Sequence, residues 1–207
     1  MFHHKIFGIG FPKTGTTSLN LALQELGLSS IHFPVSLQEI CDHDGSVNLP
    51  VAVQFEKLDQ TFRGSKFILT VREIESWLSS CEPQYRSVQE MDQSLKDDPR
   101  AAEFIQFFLT LRQRAFGTTF FDEVKFEHAY KSHLLKVKEC FSGRAEDLLI
   151  LDVSSDSVWF ELCNFLALPV PQSQFPRANF GGSLVPVLND EIVKRLKDTD
   201  RSLWIVG

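Results

Sequence analysis

The sequence predicts an α/β fold of three layers, α/β/α, with a mostly parallel central sheet, carried by residues 1–207 as a single domain. Three observations carry that prediction. The short apolar runs KIFGIGF (5–11), KFILTV (66–71) and DLLILDV (147–153) have the character of strands covered on both faces. Segments of helical period stand between and after them, and buried strands alternating with helices form open parallel sheets. The first strand also runs through glycines directly into a helix, the opening half of a βαβ unit. A chain of 207 residues builds one core of ordinary size, and nothing forces a second domain.

The elements follow in order. KIFGIGF is apolar and partly β-branched, with glycines where backbone must come close to something. TTSLNLALQELG (16–27) changes period, placing Leu19, Ala22, Leu23 and Leu26 on one side before Gly27 stops the helix. Residues 31–33 allow a short strand; VNLPVAV (47–53) reads as a short extended piece, and QFEKLDQTF (54–62) as a weakly amphipathic segment. KFILTV leaves at Arg72 toward a short helix holding Trp77. AAEFIQFFLTLRQRAF (101–116) clusters Phe104, Phe107, Phe108 and Leu111, and a second helix spans roughly 122–141 with one basic and one apolar face. After DLLILDV, SDSVWFELCNFLAL begins with cap-type residues and continues as a helix whose Trp159 and Phe165 read as core. Residues 169–186 form a loop marked by proline and glycine, and NDEIVKRLKD (189–198) a last short helix.

Composition limits the function classes. Hydrophobic residues at 43% and charged residues at 23% fit a packed soluble protein. With 21 basic against 27 acidic residues the formal charge is −6, which argues against a generic nucleic-acid surface while leaving room for a local anion site. The four cysteines, at 41, 81, 140 and 163, form no CxxC and read as reduced thiols of a cytoplasmic chain. MFHHKIFGIGF lacks the pattern of a signal peptide, and its apolar stretch is too short to span a bilayer, so no integral membrane contact is expected. The 19 phenylalanines call for a strongly aromatic core or substrate groove, between which sequence does not divide them.

The chemistry is concentrated in KIFGIGFPKTGTTSL. Gly10 and Gly15 hold the spacing of the triphosphate loop GxxxxGKS or GxxxxGKT, but Thr16 stands in the lysine slot and Lys13 lies three residues earlier. Successive backbone N–H groups from Gly10 to Thr17, followed by a helix N-terminus, make an anion cradle to which the hydroxyls of Thr16, Thr17 and Ser18 add donors. The bland reading is a glycine-rich turn with a threonine capping the helix. Without lysine at 16 the ATP reading weakens. KFILTV ends in Arg72 rather than in an acidic metal partner, so a second anion fits that strand end better than a metal, and no metal ligands are assigned.

FGIGFPKTGTTSL resembles the 5′-phosphosulfate loop of the sulfotransferases that use 3′-phosphoadenosine 5′-phosphosulfate, whose common forms carry PKSGTT or GxxKTGTTSL. KFILTVREIESWLSS resembles their 3′-phosphate segment, in which a strand-end arginine is followed eight positions later by a serine, here Arg72 and Ser80. DLLILDV, WFELCNFLALPVP and FPRAN resemble the C-terminal part of the short sulfotransferase-like group. The resemblance implies the P-loop-NTPase-like sulfotransferase fold and sulfuryl transfer from that donor, leaving adenosine 3′,5′-bisphosphate. It implies donor contacts from Lys13, Thr14, Gly15, Thr16, Thr17 and Ser18, a 3′-phosphate site at Arg72 and Ser80, and Lys13 on the bridging oxygen of the leaving phosphate. No metal is needed in this scheme.

A hydroxyl acceptor loses a proton in such a transfer, so a base should lie near it. The resemblance puts Asn48 where the short group often has a carboxylate. Glu56 is the leading candidate base, with Asp59, His32 and His43 behind it, and His133 falls where the family also tends to place histidine. Phe11 walls the acceptor side of the loop or packs, and Trp77 packs or borders the nucleotide. Arg177 lies in a late loop where some sulfotransferases add a nucleotide contact. The acceptor is a small or medium hydroxyl or amine compound. The rival readings are a small-molecule kinase using ATP and an inactive nucleotide-binding or regulatory protein.

Overall fold

The computed structural model describes residues 4–86 and 99–178, except for the side chains of 99–104. Along the chain come β1 (Ile6–Gly8), α1 (Thr16–Glu25), β2 (Ser30–His32), α2 (Leu37–Asp42), β3 (Gly45–Val47), α3 (Leu49–Ala52) and α4 (Phe55–Thr61). They are followed by β4 (Lys66–Val71), α5 (Ile74–Arg86), α6 (Pro99–Phe116), α7 (Glu123–Cys140), a 3₁₀ turn (Ala145–Asp147), β5 (Leu148–Asp152) and α8 (Val158–Leu166). The helix expected over 189–198 and the second half of the 169–186 loop lie outside the described residues.

The sheet has the order β2-β3-β1-β4-β5 with every pairing parallel. Strand alternation sends its side chains into two separate cores. Phe7, Ile9, Phe67 and Leu69 point to one, packed by α3 to α7. Ile6, Val47, Ile68 and Leu151 point to the other, closed by Leu19 and Leu23 of α1 and by Val158 and Leu162 of α8. Both faces are therefore covered, which explains why the strands read as unbroken apolar runs. The aromatic residues are concentrated in the first core, where Phe116 stacks on Phe126 at 4.2 Å and Phe67 meets Phe141 at 4.8 Å. In the same core the fully buried Arg112 guanidinium is sandwiched between Tyr85 at 4.1 Å and Phe108 at 4.3 Å, and its Nη1 donates to the Thr119 carbonyl. Trp77 and Trp159 are core residues, and Phe165 is half-buried against the second core.

VNLPVAV departs from its extended reading. β3 ends at Val47, and Leu49–Ala52 is a helical turn. The cause is Asn48, whose φ of 92° turns the chain and whose side chain accepts from Leu49 N–H as an N-cap, with Pro50 in the first turn. α2, which carried no sequence expectation, is started by Ser36, whose hydroxyl accepts from Glu39 N–H.

β1 sits at the centre, between β3 and β4, where the order of strands reverses its direction of growth. Ligand crevices of open α/β sheets form at this point, beyond the carboxyl ends of the strands. The loop after β1, Asn48 after β3 and Arg72 after β4 all lie there.

Candidate active site

The loop from Gly10 to Gly15 is held by its own atoms and by β4. Thr14 is buried; its hydroxyl donates to the Phe11 carbonyl at 2.7 Å and is 2.6 Å from the Thr70 hydroxyl, which must then be the donor. Thr14 N–H also donates to the Phe11 carbonyl. Trp77 Nε1 donates to the Pro12 carbonyl at 2.8 Å, tying α5 to the loop. A Cβ on Gly10 would stand 1.9 Å from Thr70 Oγ1, so only glycine lets β4 approach this closely. Lys13 with φ of 72° and Gly15 with φ of 102° are both left-handed, the backbone arrangement that turns successive N–H groups toward one point.

α1 then begins without a side-chain cap and without an acidic residue in its first turn. In contrast α2, α3 and α7 are capped by Ser36, Asn48 and Asp122. A helix start that leaves its N–H groups and positive dipole end unsatisfied within the protein suits an anion. Lys13 adds a half-buried cation, its pKa lowered chiefly by burial, with Arg72 pushing the same way and Cys81 opposing.

Arg72 leaves β4 beside this loop. Its Nη1 donates to the Lys13 carbonyl at 3.4 Å and its Nε to the Ser76 hydroxyl at 3.0 Å. Tyr130 of α7 holds its backbone: the phenol accepts from Arg72 N–H at 3.0 Å and donates to Arg72 C=O at 2.7 Å. Ser80, half-buried, lies one turn beyond Ser76 on the same face of α5.

On the other side of the loop, His32 at the end of β2 brings Nε2 to within 3.4 Å of the Thr16 hydroxyl, 3.3 Å of the Thr17 hydroxyl and 3.0 Å of Asn48 Nδ2. Because Asn48 Oδ1 accepts from Leu49 N–H, the amide presents its NH₂ to His32, and Nε2 is the acceptor. The neutral ring therefore carries its proton on Nδ1. Ser18 turns elsewhere, its hydroxyl accepting from Ala178 N–H at 3.1 Å, and Arg177 is exposed beside that contact.

Next to the loop opens a cleft of about 570 Å³. Phe11 belongs to both, being a loop residue and a wall of the cleft. Facing it are Phe55, Phe116 and Val124, and the polar lining consists of Arg114, Lys125, His128, Ser132, His133 and Lys136. The His133 ring stacks on Phe11 at 4.3 Å and 15°, meets Phe55 edge-on at 5.7 Å, and places Nε2 2.8 Å from the Ile9 carbonyl. Nε2 must be the protonated nitrogen in that bond. Burial lowers the His133 pKa, opposed by the Ile9 bond and assisted by Lys136, which keeps the ring neutral.

The structure thus brings Lys13, Gly15, Thr16, Thr17 and Arg72 together beyond the carboxyl ends of β1 and β4, while Thr14 spends its donors inside the loop. It does not bring Glu56 to the cleft wall: that carboxylate is exposed and ion-paired with Lys136 at the rim. Asp59 is committed to a two-pronged pair with Arg144 at 2.9 and 2.7 Å, and His43 Nδ1 lies 2.7 Å from the Glu39 carbonyl. Tyr130, Ser76 and Thr70 had no signal in the sequence beyond their places on a helix or strand. Among the described residues no cluster of three or more His, Cys, Asp or Glu side chains is placed to hold a metal ion, and no helix is long and apolar enough to cross a membrane.

Comparison with known proteins bears on the same region. The family model described as "Sulfotransferase domain" matches residues 5–44 and 37–184. Among curated proteins, the "Ava biosynthesis cluster protein M" of Aspergillus versicolor is similar to this chain, with 24% identity over 215 positions covering 83% of this chain and 79% of that one.

Proposed function

The chain belongs to the sulfotransferase domain family, and we propose that it moves a sulfuryl group from 3′-phosphoadenosine 5′-phosphosulfate to a hydroxyl or amine acceptor bound in the cleft beside Phe11. The observation that supports this reading is the nearness of two groups of donors: the uncapped start of α1 with Lys13, and Arg72 with Ser76, one helical turn before Ser80. One site suits the 5′ phosphosulfate, the other the 3′ phosphate.

The N–H groups opening α1, with Thr16 and Thr17, would hold the transferring end in place. Lys13 would meet the charge that develops on the bridging oxygen as the sulfuryl group departs, the kind of fixed electrostatic help that acts mainly on the transition state. Phe11 keeps the acceptor side dry and apolar. The donor itself supplies the activated sulfur–oxygen bond.

Calorimetry with two nucleotides tests the reading. Adenosine 3′,5′-bisphosphate should bind far more tightly than AMP, and Arg72→Ala should remove about 2 to 3 kcal/mol of that preference, the range for a hydrogen bond to a charged group. Equal affinities for the two nucleotides would sink the assignment.

A further inference from the structure

The aromatic core holds a cation without a counter-charge. Arg112 of α6 is fully buried, and both faces of its guanidinium meet rings, Tyr85 of α5 at 4.1 Å and Phe108 at 4.3 Å. Nη1 donates to the Thr119 carbonyl at 3.2 Å. Nε and Nη2 are buried and have no hydrogen-bond partner among the described residues. These two nitrogens carry parallel N–H bonds along one edge of the guanidinium, the fork that receives both oxygens of a carboxylate or a single compact anion. Among the described residues the one other buried side-chain polar atom without a partner is the Tyr85 hydroxyl, on a ring that stacks against this same guanidinium.

Nothing around the fork balances its charge. No described carboxylate forms an ion pair with Arg112. The titratable groups that act on it are Tyr85 and Cys81, and burial keeps both neutral, raising the phenol and pushing the thiol up to about 12. Lys13 and Arg72, which also act on Cys81, only add charge of the same sign. Burial lowers the Arg112 pKa to about 10, so at pH 7 the guanidinium is still a cation. A neutral acceptor would satisfy the two N–H groups and leave the charge unbalanced. An anion satisfies both, and a buried cation that is paired and hydrogen-bonded escapes the cost of standing alone.

We propose that the Arg112 fork is a binding site for a small monovalent anion, a halide or a carboxylate of the size of formate. One guanidinium supplies one charge, which sets the valence, and the complete burial of its atoms sets the size. The site lies in the packing between α5 and α6, apart from the crevice beyond the strand ends. Phe116 joins the two regions: its ring meets Phe11 at 5.1 Å and Tyr85 edge-on at 5.5 Å. The ion therefore completes the contact between the two helices behind a ring that walls the cleft.

The test is a set of thermal melts of the full chain at pH 7 and constant ionic strength, with sodium gluconate, too large for an enclosed site, replaced stepwise by chloride, bromide or formate. The melting temperature should rise and level off with at least one of the small anions, gaining about 3 °C at about ten times its Kd. Arg112→Met keeps a long side chain without the charge and should abolish the rise, whatever its own melting temperature. Crystals of the parent grown in bromide and in formate give a second readout that needs no variant. Bromide, located by its anomalous signal, or formate should lie within hydrogen-bond distance of both Nε and Nη2. Saturation by formate at the lower concentration assigns the site to a carboxylic acid, and saturation by a halide first assigns it to a salt ion. A melting temperature indifferent to the anion, an equal rise in Arg112→Met, a fork that holds neither ion in the crystals, or a carboxylate of residues 87–98 bound there overturns the proposal.

Discussion

Tyr130 clasps the backbone of Arg72 through both of its peptide groups, accepting from its N–H at 3.0 Å and donating to its carbonyl at 2.7 Å. The arginine side chain is exposed, so its direction depends on a fixed backbone. Burial raises the Tyr130 pKa, which keeps the phenol protonated and able to donate. Tyr130→Phe should weaken binding of adenosine 3′,5′-bisphosphate by about tenfold, the loss of roughly one to two ordinary hydrogen bonds, and leave AMP affinity nearly unchanged. Equal losses for both nucleotides by calorimetry would mean that Tyr130 supports the whole loop and not the 3′-phosphate site.

On the proposed reading Lys13 acts on developing charge. Lys13→Ala should reduce the single-turnover rate of sulfuryl transfer by about a hundredfold to a thousandfold, with a much smaller effect on affinity for the product nucleotide. A proportionate loss in both would assign Lys13 to ground-state binding.

Nucleotide binding should be unchanged by EDTA, since the proposed anion sites consist of backbone N–H groups, hydroxyls, Lys13 and Arg72. Loss of binding on chelation, restored by magnesium, would favour the ATP-using alternative.

The thiols should separate by reactivity. Cys41 is exposed, whereas Cys81 is buried and its pKa is pushed up to about 12, first by burial, against the pull of Lys13, Arg72 and Arg112. At pH 8 a thiol reagent should modify Cys41 in the folded protein and reach Cys81 only after denaturant is added. Because the folded-state value lies above the ordinary 9.0, the folded chain binds this proton more tightly than the unfolded one. The stability due to the neutral thiol is complete below pH 9 and falls as the pH rises toward about 12. Cys81→Ala should flatten that alkaline decline in thermal melts.

Asn48→Ala should destabilise the fold by about 1 to 2 kcal/mol, because it removes the N-cap of α3 at a residue whose φ of 92° any side chain finds unfavourable. Asn48→Asp keeps the cap and should cost less. It also sets a carboxylate against His32 Nε2, so ¹⁵N spectra of His32 should show the ring taking a proton on that nitrogen.

Parts of the site were legible in the sequence because their information is local. The glycine spacing, the shifted lysine and a strand that ends in arginine all lie within short stretches, and the two-sided sheet announced itself through apolar runs. α3 was written too, as Asn48 followed by Pro50, but VAV drew the reading toward an extended segment. Helical period does not say which way a partly exposed carboxylate leans, and Glu56 leans to Lys136. The contacts of Tyr130 with Arg72 and of His133 with Ile9 join residues 58 and 124 positions apart, and such meetings leave no local mark on the chain.

The central place of β1 also governs the order in which the molecule can be made. Ile6 pairs with Gly45 on one side and with Lys66 on the other, and β4 gains its outer neighbour only when Leu148 meets Phe67. On a growing chain the first strand waits for sixty residues, from Ile6 to Lys66, before it is flanked on both sides, and β4 waits longer still for its outer neighbour. Parallel pairings of such sequence separation assemble slowly and leave sticky edges exposed in the meantime. The anion loop, which takes its shape from Thr70 on β4 and Trp77 on α5, therefore acquires its form late in biosynthesis, and nascent chains truncated before α5 should neither bind nucleotide nor resist protease at β1.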